Sequence, residues 1–133
     1  MNPVSVDMKD LLEAESGLDL EYATNLFIGT EPDEPDNCVT IYDTGGIRPQ
    51  LTYNKEEGFF YDRFQLRVRN RSYLIGMGLA KTLMDALHGR GHEEYNSTEY
   101  ELIHCVGSPS FIGRDDKGRL LFVANFEAQR RES

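Results

Sequence analysis

The 133-residue sequence predicts an α+β fold: a mostly antiparallel, mixed sheet of 4-5 strands packed against one main helix, with a short N-terminal helix and a long loop. Three observations lead there. From Arg63 to Arg69, apolar Phe64, Leu66 and Val68 alternate with polar residues, the period of a strand buried on one face. From Tyr73 to His88, Tyr73, Met77, Ala80, Leu83, Met84 and Leu87 recur at helical spacing. Near the end, two runs rich in β-formers flank turn residues.

The elements follow in order. Ser5 or Asp7 is a candidate cap for a short helix carrying Met8, Leu11 and Leu12, which Gly17 stops. Asn25 to Gly29 reads as a short strand. Thr30 to Asn37 holds two prolines and four acids and reads as a loop. Cys38 to Tyr42 is a second strand, closed by Thr44, Gly45 and Gly46. Ile47 to Tyr61 shows no sustained period and carries Tyr53, Phe59, Phe60 and Tyr61. A connection this long in a compact domain is usually functional or mobile. The expectation is that Ile47 to Phe60 moves freely and orders on another surface.

After the alternating strand, Ser72 caps the main helix, and Gly89 and Gly91 end it. In the run from Glu99 to Val106, Tyr100, Leu102, His104 and Val106 share one face, with Ile103 and Cys105 on the other. Leu120, Phe122, Ala124 and Phe126 share a face of the last strand. Gly107-Ser108-Pro109 and Asp115 to Gly118 supply turn chemistry, consistent with an antiparallel hairpin. Gln129 to Ser133 is polar and reads as a fraying tail. The chain reads as a single domain from residue 1 to 133, with no repeat and no low-complexity tract.

Composition narrows the function. Apolar residues make up 39% and charged residues 28%, ordinary for a globular domain. No apolar stretch approaches the roughly 20 residues that span a bilayer, and Met1 to Asp7 lacks the pattern of a secretory signal. The reading is therefore no membrane and assembly in a cytosol. The net charge of −9 argues against general nucleic-acid binding, which needs clustered Lys and Arg. Solubility accounts for such acidity, and so does an acidic wall that lets DNA pass without adhering; composition does not choose between them. Cys38 and Cys105 without a secretory signal read as reduced thiols rather than a disulfide.

The search for catalysis finds no candidate catalytic, cofactor-binding or metal-ligating residue. His104 and Cys105 are adjacent in a strand and point to opposite faces, which breaks a thiol–imidazole dyad. The paired acids all lie in loops, where charge is easily solvated. Asp115 to Gly118 is too short for a calcium loop. The polar feature above background is the outer row Arg63, Arg67 and Arg69. One reading is a solvated strand face; the other sets these cations against the acidic loop of a neighbouring copy, where they would fix register. The candidate subunit interface is thus Arg63, Arg67 and Arg69 with Asp33, Glu34 and Asp36. Reversing the charge of Arg67 and Arg69 is expected to weaken assembly without unfolding the monomer.

Several segments together resemble a known family. Pro35 to Val39 leading to Tyr42-Asp43-Thr44-Gly45-Gly46 resembles the N-terminal signature of phage minor capsid proteins of the tail-terminator, or tail-completion, type. Phe64 to Arg69 followed by the helix through Ala86-Leu87-His88-Gly89 is similar to that family's central unit. Ser108 to Asp115 and Gly118-Arg119 running into Phe122 to Phe126 are similar to its closing hairpin. The resemblance implies a non-enzymatic virion protein of long-tailed bacteriophages, without cofactors and located in the tail or neck. It implies a hexameric homo-oligomer ring that caps the tube and meets the major tail tube protein and the head-completion or connector proteins. DNA would pass through its channel without sequence-specific binding. Tyr53, Phe59 and Phe60 are the candidate tail-tube contact. The alternatives are a head-closure or connector (neck) protein and a small protein-binding adaptor.

Overall fold

In the computed structural model of the chain, residues 1–47 and 58–132 are described. Helix α1 (Val4–Ala14) is followed by β1 (Leu26–Ile28), β2 (Cys38–Ile47), β3 (Phe60–Asn70), helix α2 (Tyr73–Leu87), β4 (Glu93–Tyr95), β5 (Thr98–Cys105), β6 (Ser110–Arg114) and β7 (Leu120–Glu132). The strands form one mixed sheet in the order β1-β2-β3-β7-β5-β4, with β6 also on β7. Among the described strands, only β1 against β2 is parallel. The α+β class stands, but the sheet has seven strands where the sequence predicts 4-5. The added strands, β4 and β6, have three and five residues, too few to show a period.

The long strands form for the reason the pattern gives. Phe64, Leu66 and Val68 of β3 and Phe122, Ala124, Phe126 and Ala128 of β7 are buried on one face, and Phe64 stacks on Phe126 across the ladder. Val4, Met8, Leu11 and Leu12 of α1 and Ala80, Leu83 and Leu87 of α2 join them in a single core cluster. Both helices therefore cover the same face of the sheet, α1 over β1 to β3 and α2 over β3, β5 and β7.

The helix ends differ from one another. Ser72 caps α2 by accepting from the Ile75 N–H at 3.3 Å. Neither Ser5 nor Asp7 caps α1, because the helix begins earlier, behind Pro3. The job falls to Asp43 of β2, which accepts from the Ser5 N–H at 3.0 Å and the Ser5 hydroxyl at 2.6 Å. A carboxylate there satisfies an orphan donor and opposes the positive end of the helix dipole. Sequence spacing gives no hint of a cap donated from 38 residues away.

Three further expectations are corrected. β5 does not alternate cleanly: a bulge between Tyr100 and Leu102 puts Tyr100 and Ile103 both in the core and turns Leu102 outward. One extra residue in a strand reverses every face after it. The two last predicted strands, β5 and β7, do pair antiparallel as expected, but Gly107-Ser108-Pro109 leads into an inserted strand, β6, rather than straight back. β5 and β6 both run antiparallel to β7, so they form one interrupted edge alongside it, and the hairpin is β6 to β7. The described part of the polar tail, Gln129 to Glu132, does not fray either. β7 continues to Glu132 because β3 and β5 pair with it from both sides.

Candidate assembly surfaces

The outer face of the sheet carries the arginine row, and a loop lies over it. Arg69 is 2% exposed. It donates to the carbonyls of Pro35 (2.6 Å), Asp36 (3.1 Å) and Asp33 (3.4 Å), and to the Glu31 carboxylate at 3.3 Å. Arg67 pairs with the same Glu31 at 3.1 Å. Arg71 holds Asp36 at 2.8 Å, Lys117 holds Asp33 at 2.6 Å, and Arg119 reaches Asp33, Asp36 and Asp115. Five cations, from β3, from Arg71 just beyond it and from the β6–β7 hairpin, thus fix the loop between β1 and β2.

Arg67 or Arg69 is expected from the sequence to meet Asp33, Glu34 or Asp36 of a neighbouring copy; in the single chain the loop that meets them is its own. The physical reason is reach. The β1–β2 connection ends at Cys38, which lies opposite Arg69 on β3, so its Glu31 neutralises Arg67 and Arg69 locally. Arg63 also pairs internally, with Glu127 directly opposite on β7 at 3.0 Å. Glu34 is exposed and, among the described residues, makes no ion pair. Of the aromatics expected on the long loop, Tyr53 lies outside the described residues, as does most of the segment Ile47 to Phe60 expected to be mobile. Phe59 sits under the Arg131 guanidinium at 5.3 Å, and Phe60 is the first residue of β3.

The clamp predicts a pH response. Hydrogen bonding to Lys117 first, and its charge with that of Arg119, hold the Asp33 carboxyl below its ordinary value. Hydrogen bonding to Arg71 does the same for Asp36. A carboxyl depressed in the folded state contributes stability that is present above its unfolded value, about pH 4, and is lost as pH falls through the lower folded value. The denaturant midpoint should therefore drop below pH 4. In the double variant K117M/R71M that acid limb should flatten; an unchanged limb would show that these pairs contribute nothing.

A second surface lies where α2 begins and β6 runs. Leu74 is 83% and Ile75 64% exposed, with Tyr73, Phe111 and Ile112 also exposed. Tyr73 and Phe111 pack edge to face at 5.4 Å, and both contact the buried Phe122, so the core extends to the surface here. Gly76 brings this end of α2 down on β7: a Cβ there would lie 2.3 Å from the Phe122 ring. With that contact made, Leu74 and Ile75 face out. The sequence reading missed this surface, since it counted only the inward stripe. The consecutive apolar run Tyr73-Leu74-Ile75, wider than one stripe, is the signal that could have found it.

The thiols are not placed for chemistry. Cys38 and Cys105 are free, and burial pushes both thiols up, away from the reactive thiolate. His88 accepts the Cys105 backbone N–H at 2.9 Å, and His104 faces Glu127 at 3.7 Å. Among the described residues no group of three or more His, Cys, Asp or Glu could hold a metal ion, and no helix is long and apolar enough to cross a membrane.

Comparison with known proteins gives one family and one fold. A family model described as bacteriophage tail terminator protein matches residues 6–131. Among solved structures, a chain from the virion of a native gene transfer agent particle superposes with a TM-score of 0.71 at 13% identity. The match covers 97% of this chain and 95% of that one. At that identity the likeness is one of fold. No curated protein matches by sequence.

Proposed function

The chain belongs to the bacteriophage tail terminator family, and from that membership we propose that it is a structural virion subunit that closes the tail tube as a six-membered ring. The ring ends tube polymerisation and offers the surface that the filled head joins. It acts by assembly, not catalysis, and is built in the bacterial host cytoplasm as one domain. Its contacts are other copies of itself, the major tail tube protein and the head-completion proteins. DNA passes through the channel past acidic walls, in keeping with the net charge of −9.

The observation that carries this reading is the extent of the family match. Residues 6–131 include the whole sheet, α2 and nearly all of α1, so the matching unit is the assembled domain rather than a shared strand or motif. The geometry agrees. A closed ring of identical subunits joins each to the next through two unlike surfaces, and this sheet ends in two unlike edges. The test is electron microscopy of particles assembled without the gene product. Overlong tails without heads are expected. Tails of normal length beside leaking heads would instead assign head closure.

A further inference from the structure

We propose that the exposed apolar edge formed by α2 and β6 is the docking surface for the next copy of this chain, which presents its opposite, β1-side edge. The inference deepens the ring reading and rests on it.

Size is the first argument. Five large side chains at these exposures make a patch on the order of 500 Å², most of the roughly 800 Å² that one partner contributes to a standard interface.

Charge is the second, and it selects a copy of the chain as the occupant. Among the described residues, Lys81 and Arg114 are the two basic side chains that make no ion pair or hydrogen bond; the others pair within the chain. Lys81 is on α2 and Arg114 on β6, the two elements that carry the patch. The complement lies at the far end of the sheet. β1 is the outermost strand there, and the turn that precedes it bonds Leu26 through the Glu21 carbonyl. That turn exposes Tyr22 directly after Glu21 and three residues beyond Asp19, two acids without an ion pair among the described residues. At the apolar end, on α2 and β6, the unpaired charges among the described residues are thus Lys81 and Arg114 with Asp85, whereas at the β1 end those beside Tyr22 are the acids Asp19 and Glu21.

Gly78 is the third argument. A Cβ at Gly78 would meet nothing within 4 Å, and the residue is exposed. Glycine in the middle of an exposed helix is costly relative to alanine, and no contact within the subunit requires it, unlike Gly76. It lies one turn after Leu74, on the same face. A notch there allows a neighbour's backbone to approach closely, the usual reason for a helical glycine without internal contacts.

The experiment measures self-association by sedimentation velocity, with and without purified tube ends, for the wild-type chain and three variants. L74S/I75S should leave the monomer's Tm unchanged and weaken association at least tenfold. G78A should raise the monomer's Tm by about 4 °C and yet weaken association. R114E should weaken association, and adding E21R to it should restore assembly. If the wild-type chain associates and L74S/I75S and G78A associate equally well, the docking surface is refuted while the ring stands. Loss in R114E without rescue by E21R refutes the β1-side edge as its complement. Variants that associate normally but no longer cap tubes would assign the patch to the tube protein instead. A wild-type chain monomeric under both conditions refutes the ring reading itself.

Discussion

Replacing Arg69 with methionine lowers the stability of the chain by about 3–5 kcal/mol, the usual consequence of removing one side of a buried charge pair. The side chain is 2% exposed and donates to three backbone carbonyls and a carboxylate. Methionine fills part of the volume but donates nothing. The carbonyls of Asp33, Pro35 and Asp36 then lose their donor, and each buried acceptor left bare costs about 1–3 kcal/mol. Arg67, two residues back on the same face, is the control. It is half-buried and holds Glu31 alone, so R67M should cost less than about 1 kcal/mol. Urea denaturation of both variants decides the matter. Equal losses would mean that Arg69 is an ordinary surface cation and that the loop does not depend on it. The same geometry reverses the outcome expected from sequence for charge reversal at Arg67 and Arg69. A glutamate at 69 faces three carbonyls and Glu31, so the loop is expelled and the monomer itself is damaged.

That correction shows what a sequence can give and where it stops. The alternation from Arg63 to Arg69 fixes which side of β3 each arginine occupies, because the pleat is a local property. What lies over that side is a tertiary matter, decided by a loop 33 to 38 residues away. β3 and α2 were legible because they are long and their periods run unbroken. β4 and β6 were not, being shorter than the window in which a period can be seen. β5 was misread after Glu101, where one bulged residue moves Ile103 into the core. The candidate site fared similarly. Composition and the family resemblance pointed to assembly, but the exposed edge of α2 and β6 follows from how closely Gly76 meets Phe122, a contact between distant segments.

The end of the chain gives the second large effect. Gln129-Arg130-Arg131-Glu132 has the composition of a tail, yet Arg130 is 5% exposed. Its Nε donates to Asp62 at 2.7 Å. One terminal nitrogen donates to the Asn2 carbonyl at 2.7 Å and the Tyr100 hydroxyl at 3.3 Å, and lies 3.6 Å from Asp7. Asp7 is fully buried and accepts from the Tyr100 hydroxyl and the Asn96 amide. Burial, then the bond to Asp7, pushes the Tyr100 phenol well above its usual range, so it stays a donor at any pH the fold survives. Arg130 is thus the cation that neutralises a buried carboxylate on α1 and ties β7 to the first residues of the chain. R130M should cost about 3–5 kcal/mol, because the buried Asp7 loses its cationic partner and keeps only the Tyr100 and Asn96 donors. D7N removes that charge while keeping an acceptor for Tyr100, so the double variant D7N/R130M should lose less than the sum of the single losses. A coupling of about 1–3 kcal/mol is the range for groups in one network. Strict additivity in the denaturation cycle would show that Asp7 and Arg130 act independently. Hydrogen exchange gives a second check: protection at the start of α1 should fall in R130M, since the Asn2 carbonyl loses its donor along with Asp7.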